Sequence, residues 1–231
     1  MKMIHQTWRY KFKSTAAKLI PQMMDYGDNS PDILNLGHRD YVGGLYEQIG
    51  TLQFEFLLNH GLKPYHFFLD IACGSLRLGR LLIPYLESEH YYGIDKEPKL
   101  IEAGLNYEVT DELIKLKKPY FVVSYDFEFE RFPEKVDLAI AHSLFTHLPP
   151  RLIHKCLKNF LVKAKGQTIL FATFFETNKT VKNPPKPGDH KSFLYTREEM
   201  VYFGEANGYS SQYIGQWGHP RGQVMVAYSP R

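Results

Sequence analysis

The sequence predicts an α/β domain built on one seven-stranded, mostly parallel sheet with helices on both faces and an antiparallel terminal hairpin. Three observations carry this. From about residue 65 onward, short apolar runs alternate with stretches of helical periodicity, the signature of βαβ units. Five of those runs are four to eight residues long and too apolar for a strand with one wet face. The last two runs alternate instead and are separated by Gly218-His219-Pro220-Arg221-Gly222, short enough for a hairpin.

The elements follow in order. An amphipathic helix is predicted over 46–59, ended by Gly61. The apolar runs 67–71, 91–95, 120–124, 136–141 and 168–174 are the parallel strands. Between them, leucines at helical spacing over 76–85, a helix opened by Pro98 over 98–107 and an apolar stripe (Leu152, Cys156, Phe160, Leu161) over 151–163 read as crossover helices. After a Pro-, Lys- and Asn-rich segment at 177–191 come a helix at 197–207 and the closing strands 211–217 and 223–228. Residues 1–45 form an N-terminal helical extension or lid, and 46–231 the main domain.

Composition narrows the function classes. With 44% hydrophobic and 23% charged residues the chain is ordinary for a folded soluble protein. No run approaches the roughly 18 to 20 apolar residues a spanning helix needs, and the first thirty residues lack the apolar block of a secretion signal. A soluble, cytoplasmic protein is expected. Cys73 and Cys156 are too few for a disulfide framework or a four-cysteine zinc site. The net charge is +3, but Lys2, Arg9, Lys11, Lys13 and Lys18 all precede the first acid, Asp25, which leaves the rest net acidic. A small molecule is therefore a better partner than nucleic acid. The basic N-terminus reads as a solvated helix or as a membrane-surface or partner contact.

In an open parallel sheet, ligands sit beyond the carboxyl ends of the strands. The first such loop is Asp70-Ile71-Ala72-Cys73-Gly74-Ser75-Leu76-Arg77-Leu78-Gly79, where small residues at 72, 74 and 75 let backbone approach a ligand. A helix starting near Leu76 would aim its amides there. Asp70 suits a ligand carrying a cation. Asp95 closes the second strand, where a carboxylate accepts hydrogen bonds from both hydroxyls of a ribose. Asp126, next to Phe127, could take an adenine amino group, or could be a turn or capping residue. Three acids would repel a pyrophosphate, and the dinucleotide pattern Gly-x-Gly-x-x-Gly is absent, since only Gly74 and Gly79 occur in the loop.

Four segments, FLDIACGSLRLGRLL, YYGID, SYDFEFE and VDLAIAHSLFTHLPP, together resemble the ordered motifs of class I S-adenosylmethionine-dependent methyltransferases over about 46–231. The resemblance implies a Rossmann-like fold with S-adenosylmethionine as cofactor. By it, Asp70 and Gly74 would hold the methionine part, Asp95 the ribose and Asp126 with Phe127 the adenine. His142 and Ser143 would flank the cofactor, and Ala72, Cys73, Ser75, Arg77 and Lys96 would also contact it. The pattern Asp-x-Gly-x-Gly-x-Gly is broken here by Ala72 and Leu76 in place of its first and third glycines.

Methyl transfer from a sulfonium is an in-line displacement in which positioning dominates. An alcohol acceptor also has to lose its proton, and histidine is the natural base. His142 and His147 lie on the loop leaving the fourth strand, and His219 in the terminal turn. Each has an alternative reading as a packing or capping residue. His219 and Arg221 could touch substrate from the hairpin turn or face water. Lys179, Lys182, Lys186 and Lys191 against the single Asp189 make either a basic lid over an acidic acceptor or a solvated loop. No Asp/Asn-Pro-Pro-aromatic tetrad ends the fourth strand, and no group of carboxylates there suggests a metal. The expectation is methylation of a small molecule, at a hydroxyl oxygen and on a sugar-linked acceptor. The alternatives are an RNA or protein methyltransferase, a non-catalytic cofactor-binding protein, and a dehydrogenase.

Overall fold

The computed structural model of the protein describes residues 33, 35–189 and 191–231. The basic N-terminal run lies outside the described residues. The described elements are α1 (His38–Tyr41), α2 (Tyr46–Asn59), β1 (Phe68–Ile71), α3 (Gly79–Tyr85), β2 (Tyr91–Asp95), α4 (Pro98–Tyr107), α5 (Asp111–Lys117), β3 (Tyr120–Val123), β4 (Val136–Ala141), α6 (Pro150–Phe160), β5 (Ala164–Glu176), β6 (Leu194–Tyr195), α7 (Arg197–Ala206), β7 (Tyr209–Gln216) and β8 (Gln223–Pro230). Short 3-10 turns occupy Phe129–Arg131 and Phe145–His147.

The strands lie in the order β3-β2-β1-β4-β5-β8-β7. Pairing is parallel from β3 to β5 and antiparallel from β5 through β8 to β7. The seven-stranded expectation holds, with one addition: the two-residue β6 pairs parallel with the end of β5. The chain leaves β1 for β2 and β3 on one side and returns to β4 and β5 on the other, so the crevice at the carboxyl ends of β1 and β4 is the topological switch point.

Side chains alternate between two cores. On one face, Leu69, Ala139, Ala141 and Leu170 pack under α6 and α7 through Leu152, Ile153, Cys156, Phe160 and Met200. On the other, Phe68, Leu138, Ile140 and Phe171 pack under α2, α3 and α4 through Phe56, Leu57, Leu82, Ile83 and Ile101. Such two-period alternation in strands buried on both faces explains why the sequence reads as continuous apolar runs. Cys73 and Cys156 are buried free thiols. Among the described residues no helix is long and apolar enough to cross a membrane.

Strand β5 starts four residues before the expected 168, and two helices also depart from the reading of the sequence. The helix expected from Leu76 begins at Gly79, because Leu76 itself is left-handed, with φ 65°. Helix α5 was not expected, since none of its residues is fully buried and its sequence carries little apolar periodicity. It is set by Thr110, whose hydroxyl accepts from the Leu113 amide, and by acids in its first turn and lysines in its last.

Leu76, in the place of a glycine, is accommodated by glycines elsewhere. Its side chain is fully buried and lies against α4 at Gly104, where an added Cβ would stand 2.6 Å from Leu76 Cγ and 2.7 Å from the Ser75 carbonyl. An added Cβ on Gly79 would stand 2.7 Å from the Tyr91 hydroxyl and 3.1 Å from Leu76 Cβ. Gly104→Ala is therefore expected to destabilise the fold by about 1–3 kcal/mol through overpacking against backbone, measured by urea denaturation.

Candidate functional site

A cavity of about 640 Å³ opens at the carboxyl ends of β1, β2 and β4, within the range of roughly 300–1,000 Å³ typical of small-molecule sites. Its walls include Asp70, Ala72, Cys73, Gly74, Ser75, Arg77, Asp95, Lys96, Phe127, His142, Ser143 and His147, residues singled out from the sequence and here brought together.

The loop after β1 is shaped by three left-handed residues at alternate positions: Ala72 (φ 62°), Gly74 (φ 53°) and Leu76 (φ 65°). The conformation expected of glycines thus survives at two positions without them, against a local cost that the surroundings must offset. What holds the loop is β2. The amides of Ala72 and Cys73 donate to the Ile94 carbonyl at 2.8 and 3.1 Å, and the Gly74 amide donates to Asp95 Oδ2 at 2.8 Å. Asp95 Oδ1 accepts from the Glu97 amide at 2.9 Å. Each carboxylate oxygen has a second lone pair, so Asp95 can still receive hydroxyl donors.

Asp70 is buried at the tip of β1 and accepts a hydrogen bond from the Tyr91 hydroxyl at 2.9 Å. Burial pushes its carboxyl up to about 7, against the Tyr91 hydrogen bond and with help from Asp95. Burial likewise raises Asp95 to about 6, although the Glu97 and Gly74 amides favour its charged form. A cationic ligand would ionise both.

The N-terminal segment closes one side. Tyr41, Val42 and Gly43 line the cavity, and Arg77 donates to the carbonyls of Val42 and Gly44, while Arg221 donates to that of Gly43. Ser75 Oγ donates to the His38 carbonyl at 3.2 Å, and Glu108 receives Arg39 through both carboxylate oxygens at 2.7 Å. Tyr46, whose hydroxyl donates to the Ser75 carbonyl, lies beneath the guanidiniums of Arg39, Arg77 and Arg80. Burial lowers Arg77 to about 10.

Three polar atoms on the cavity wall are buried without a partner among the described residues: Gln53 Oε1, Arg77 Nε and His142 Nε2. Buried groups left unpaired are costly, and on a cavity wall they are available to ligand atoms.

The three histidines differ. His147 Nδ1 is 2.8 Å from the Lys191 carbonyl. A carbonyl only accepts, so Nδ1 carries the hydrogen and Nε2 keeps a lone pair. His142 lines the cavity at the end of β4, its ring 5.9 Å from Trp217 and 5.2 Å from His219. Burial, then Arg77, His219 and Arg221, hold it well below the usual imidazole range. His219 is buried behind it, outside the cavity lining, and stacks on Trp217.

Asp126 is not brought to the cavity. It is exposed and pairs with Lys155 at 2.6 Å, while its neighbours Ser124, Tyr125 and Phe127 line the wall. An acid in a turn after a strand has two directions open to it, and spacing does not choose between them. In the segment 177–191, the four lysines are exposed, and Pro187 and Asp189 face the cavity. Asp189 pairs with Lys96 at 2.7 Å and accepts from the Tyr41 hydroxyl at 3.2 Å. Gln53, Tyr41, Glu97 and Gln223 also line the cavity, and no motif in the sequence marks them. Gln53 was detectable only as a polar residue on the buried face of a helix, where it is 3% exposed. Among the described residues no group of three or more His, Cys, Asp or Glu side chains is placed to hold a metal ion.

No protein-family model matches the sequence. Solved structures do match. The magnesium protoporphyrin IX methyltransferase of Synechocystis PCC 6803 with bound SAM superposes at a TM-score of 0.63, with 16% identity, over 90% of this chain and 94% of that one. The PH0226 protein of Pyrococcus horikoshii OT3 gives 0.62 at 14% identity over 87% and 99%. Human N-acetylserotonin methyltransferase in complex with SAM gives 0.65 at 12% identity over 91% of this chain and 60% of that one. The chain has the class I methyltransferase fold.

The raised carboxyl of Asp70 has a consequence for stability. With a folded value of about 7 against an ordinary 3.8, the folded state holds the proton more tightly, so this contribution is present below pH 4 and lost as pH rises through 7. The melting temperature of Asp70→Asn minus that of the unaltered protein, both unliganded, is expected to rise between pH 5 and 8. A flat difference would remove the buried-carboxylate account.

Proposed function

We propose that the protein is an enzyme, an S-adenosylmethionine-dependent methyltransferase acting on an oxygen of a small-molecule acceptor. The observation that carries this reading is the pair of buried carboxylates, Asp70 and Asp95, at adjacent strand tips around a left-handed glycine loop. The residues fit the cofactor in their chemistry. Asp95 offers free lone pairs to ribose hydroxyls. Gly74 lets backbone approach closely, its φ of 53° and a Val42 methyl 3.1 Å from an added Cβ leaving little room for a side chain. Tyr125 and Phe127 supply rings beside an adenine. Arg77 Nε, a buried donor without a partner, suits the methionine carboxylate, and Asp70, charged when a cation is near, suits its ammonium.

The bound cofactor supplies a sulfonium-activated methyl group. The chain's own residues do the rest. Arg77, Arg221 and the Asp189–Lys96 pair hold the segments over the cavity and exclude water. His147, its Nδ1 hydrogen fixed by the Lys191 carbonyl, presents Nε2 as the base that takes a hydroxyl proton. The methyltransferases that share the fold support the reaction class, and SAM bound in two of them supports the cofactor. A dinucleotide fits poorly because Asp70 and Asp95 stand where a diphosphate would lie.

Titration calorimetry is expected to detect binding of S-adenosylhomocysteine, and Asp95→Ala to weaken it at least about tenfold through loss of charge-assisted hydrogen bonds. Unaltered affinity in that variant would take Asp95 out of the site. His147→Ala is expected to reduce methyl transfer at least about tenfold at saturating cofactor, with S-adenosylhomocysteine affinity preserved. A smaller effect would make His147 a packing residue.

A further inference from the structure

A group of nitrogen donors at the hairpin side of the cavity is left over once the cofactor's needs are met. Arg221 sits on the rim with no carboxylate partner among the described residues. His142 lines the wall and His219 lies behind it at 5.2 Å. The Arg221 amide donates to His219 Nδ1 at 3.2 Å, which makes Nδ1 the acceptor and puts the imidazole hydrogen on Nε2. Among the described residues that Nε2–H, in a residue 5% exposed, has no acceptor, and the buried Nε2 of His142 has no partner.

The electrostatics point the same way. Among the described residues the charged side chains acting on both histidines are Arg77 and Arg221, and of these Arg77 feels the Asp70 carboxylate whereas Arg221 has no carboxylate partner. The methionine carboxylate and ammonium are met by Arg77 and Asp70 in the reading above, and the sulfonium adds a further positive charge, so an anionic acceptor beside Arg221 would complement the loaded site.

We propose that the methyl acceptor is an organic anion, its carboxylate received by Arg221 and His142 with His219 in support, and its hydroxyl left free to meet His147. This rests on the methyltransferase reading above and narrows it to hydroxy acids. The transfer balances without a further reactant: the hydroxyl proton passes to His147 Nε2, the oxygen lone pair forms the new O–CH₃ bond, and the C–S⁺ bond pair returns to sulfur as a neutral thioether. The carboxylate is unchanged, so the product is still an anion.

The test uses the full chain, S-adenosylmethionine labelled in the methyl group, and a metabolite extract ultrafiltered to remove protein and nucleic acid. Label is expected in products that an anion exchanger retains and that alkali does not release as methanol. Arg221→Gln should cut incorporation at limiting extract at least about tenfold, a clearly larger factor than its loss of S-adenosylhomocysteine affinity. Four outcomes overturn the proposal: label in uncharged products, label released by alkali as from a methyl ester, cofactor binding with no labelled metabolite, or equal loss of cofactor binding and incorporation in Arg221→Gln. Failure of the unaltered protein to bind S-adenosylhomocysteine would instead bring down the methyltransferase reading itself.

Discussion

The site depends on one buried carboxylate bridging two strand tips. Asp95 takes the Gly74 amide on one oxygen and the Glu97 amide on the other, so the loop leaving β1 and the turn leaving β2 are fixed to each other. That link holds a loop in which Ala72 and Leu76 adopt left-handed backbone that side chains normally disfavour. The strain is offset by burial of Leu76 and by Gly79 and Gly104, which give its side chain room. A glycine motif has here been redistributed: its conformation stays in the loop, while its smallness has moved to the neighbouring helices.

The cavity wall carries groups of both signs: carboxylates at the tips of β1 and β2, arginines in the loop after β1 and in the terminal turn, and His142 at the end of β4. Burial raises the acids and depresses the imidazole, so a ligand of opposite charge would draw each toward its ionised form. Selectivity for charge pattern follows from the same burial.

Two segments of low regularity complete the enclosure. The stretch around Val42–Gly44 is held through its carbonyls by Arg77 and Arg221, so side chains from the loop after β1 and from the hairpin turn hold the backbone of the cover. Opposite it, Gly188 donates to the His147 carbonyl and Phe193 to that of Thr146, while Asp189 reaches Lys96 and Tyr41. Irregular covers held over a site by polar contacts are the elements that open most readily.

The sequence alone determined the sheet, its parallel half and its closing hairpin, because burial on both faces forces continuous apolar runs and leaves turns as the only breaks. It also located Asp70, Gly74, Asp95, His142 and His147, since strand ends in such a sheet converge on one crevice whatever the side chains. Helix α5 has a weak signature because only Leu113 and Ile114 pack on the core, each partly buried, and helix α3 starts late because a left-handed Leu76 has no local signature. Only the tertiary structure decided that Asp126 turns outward to Lys155, that Asp189 rather than the lysines of its segment faces the cavity, and that Gln53, Arg77 and His142 are left with unpaired atoms there. The physical reason is that periodicity reports which face of an element is buried, whereas the partner of a polar group is set by residues far away in the chain.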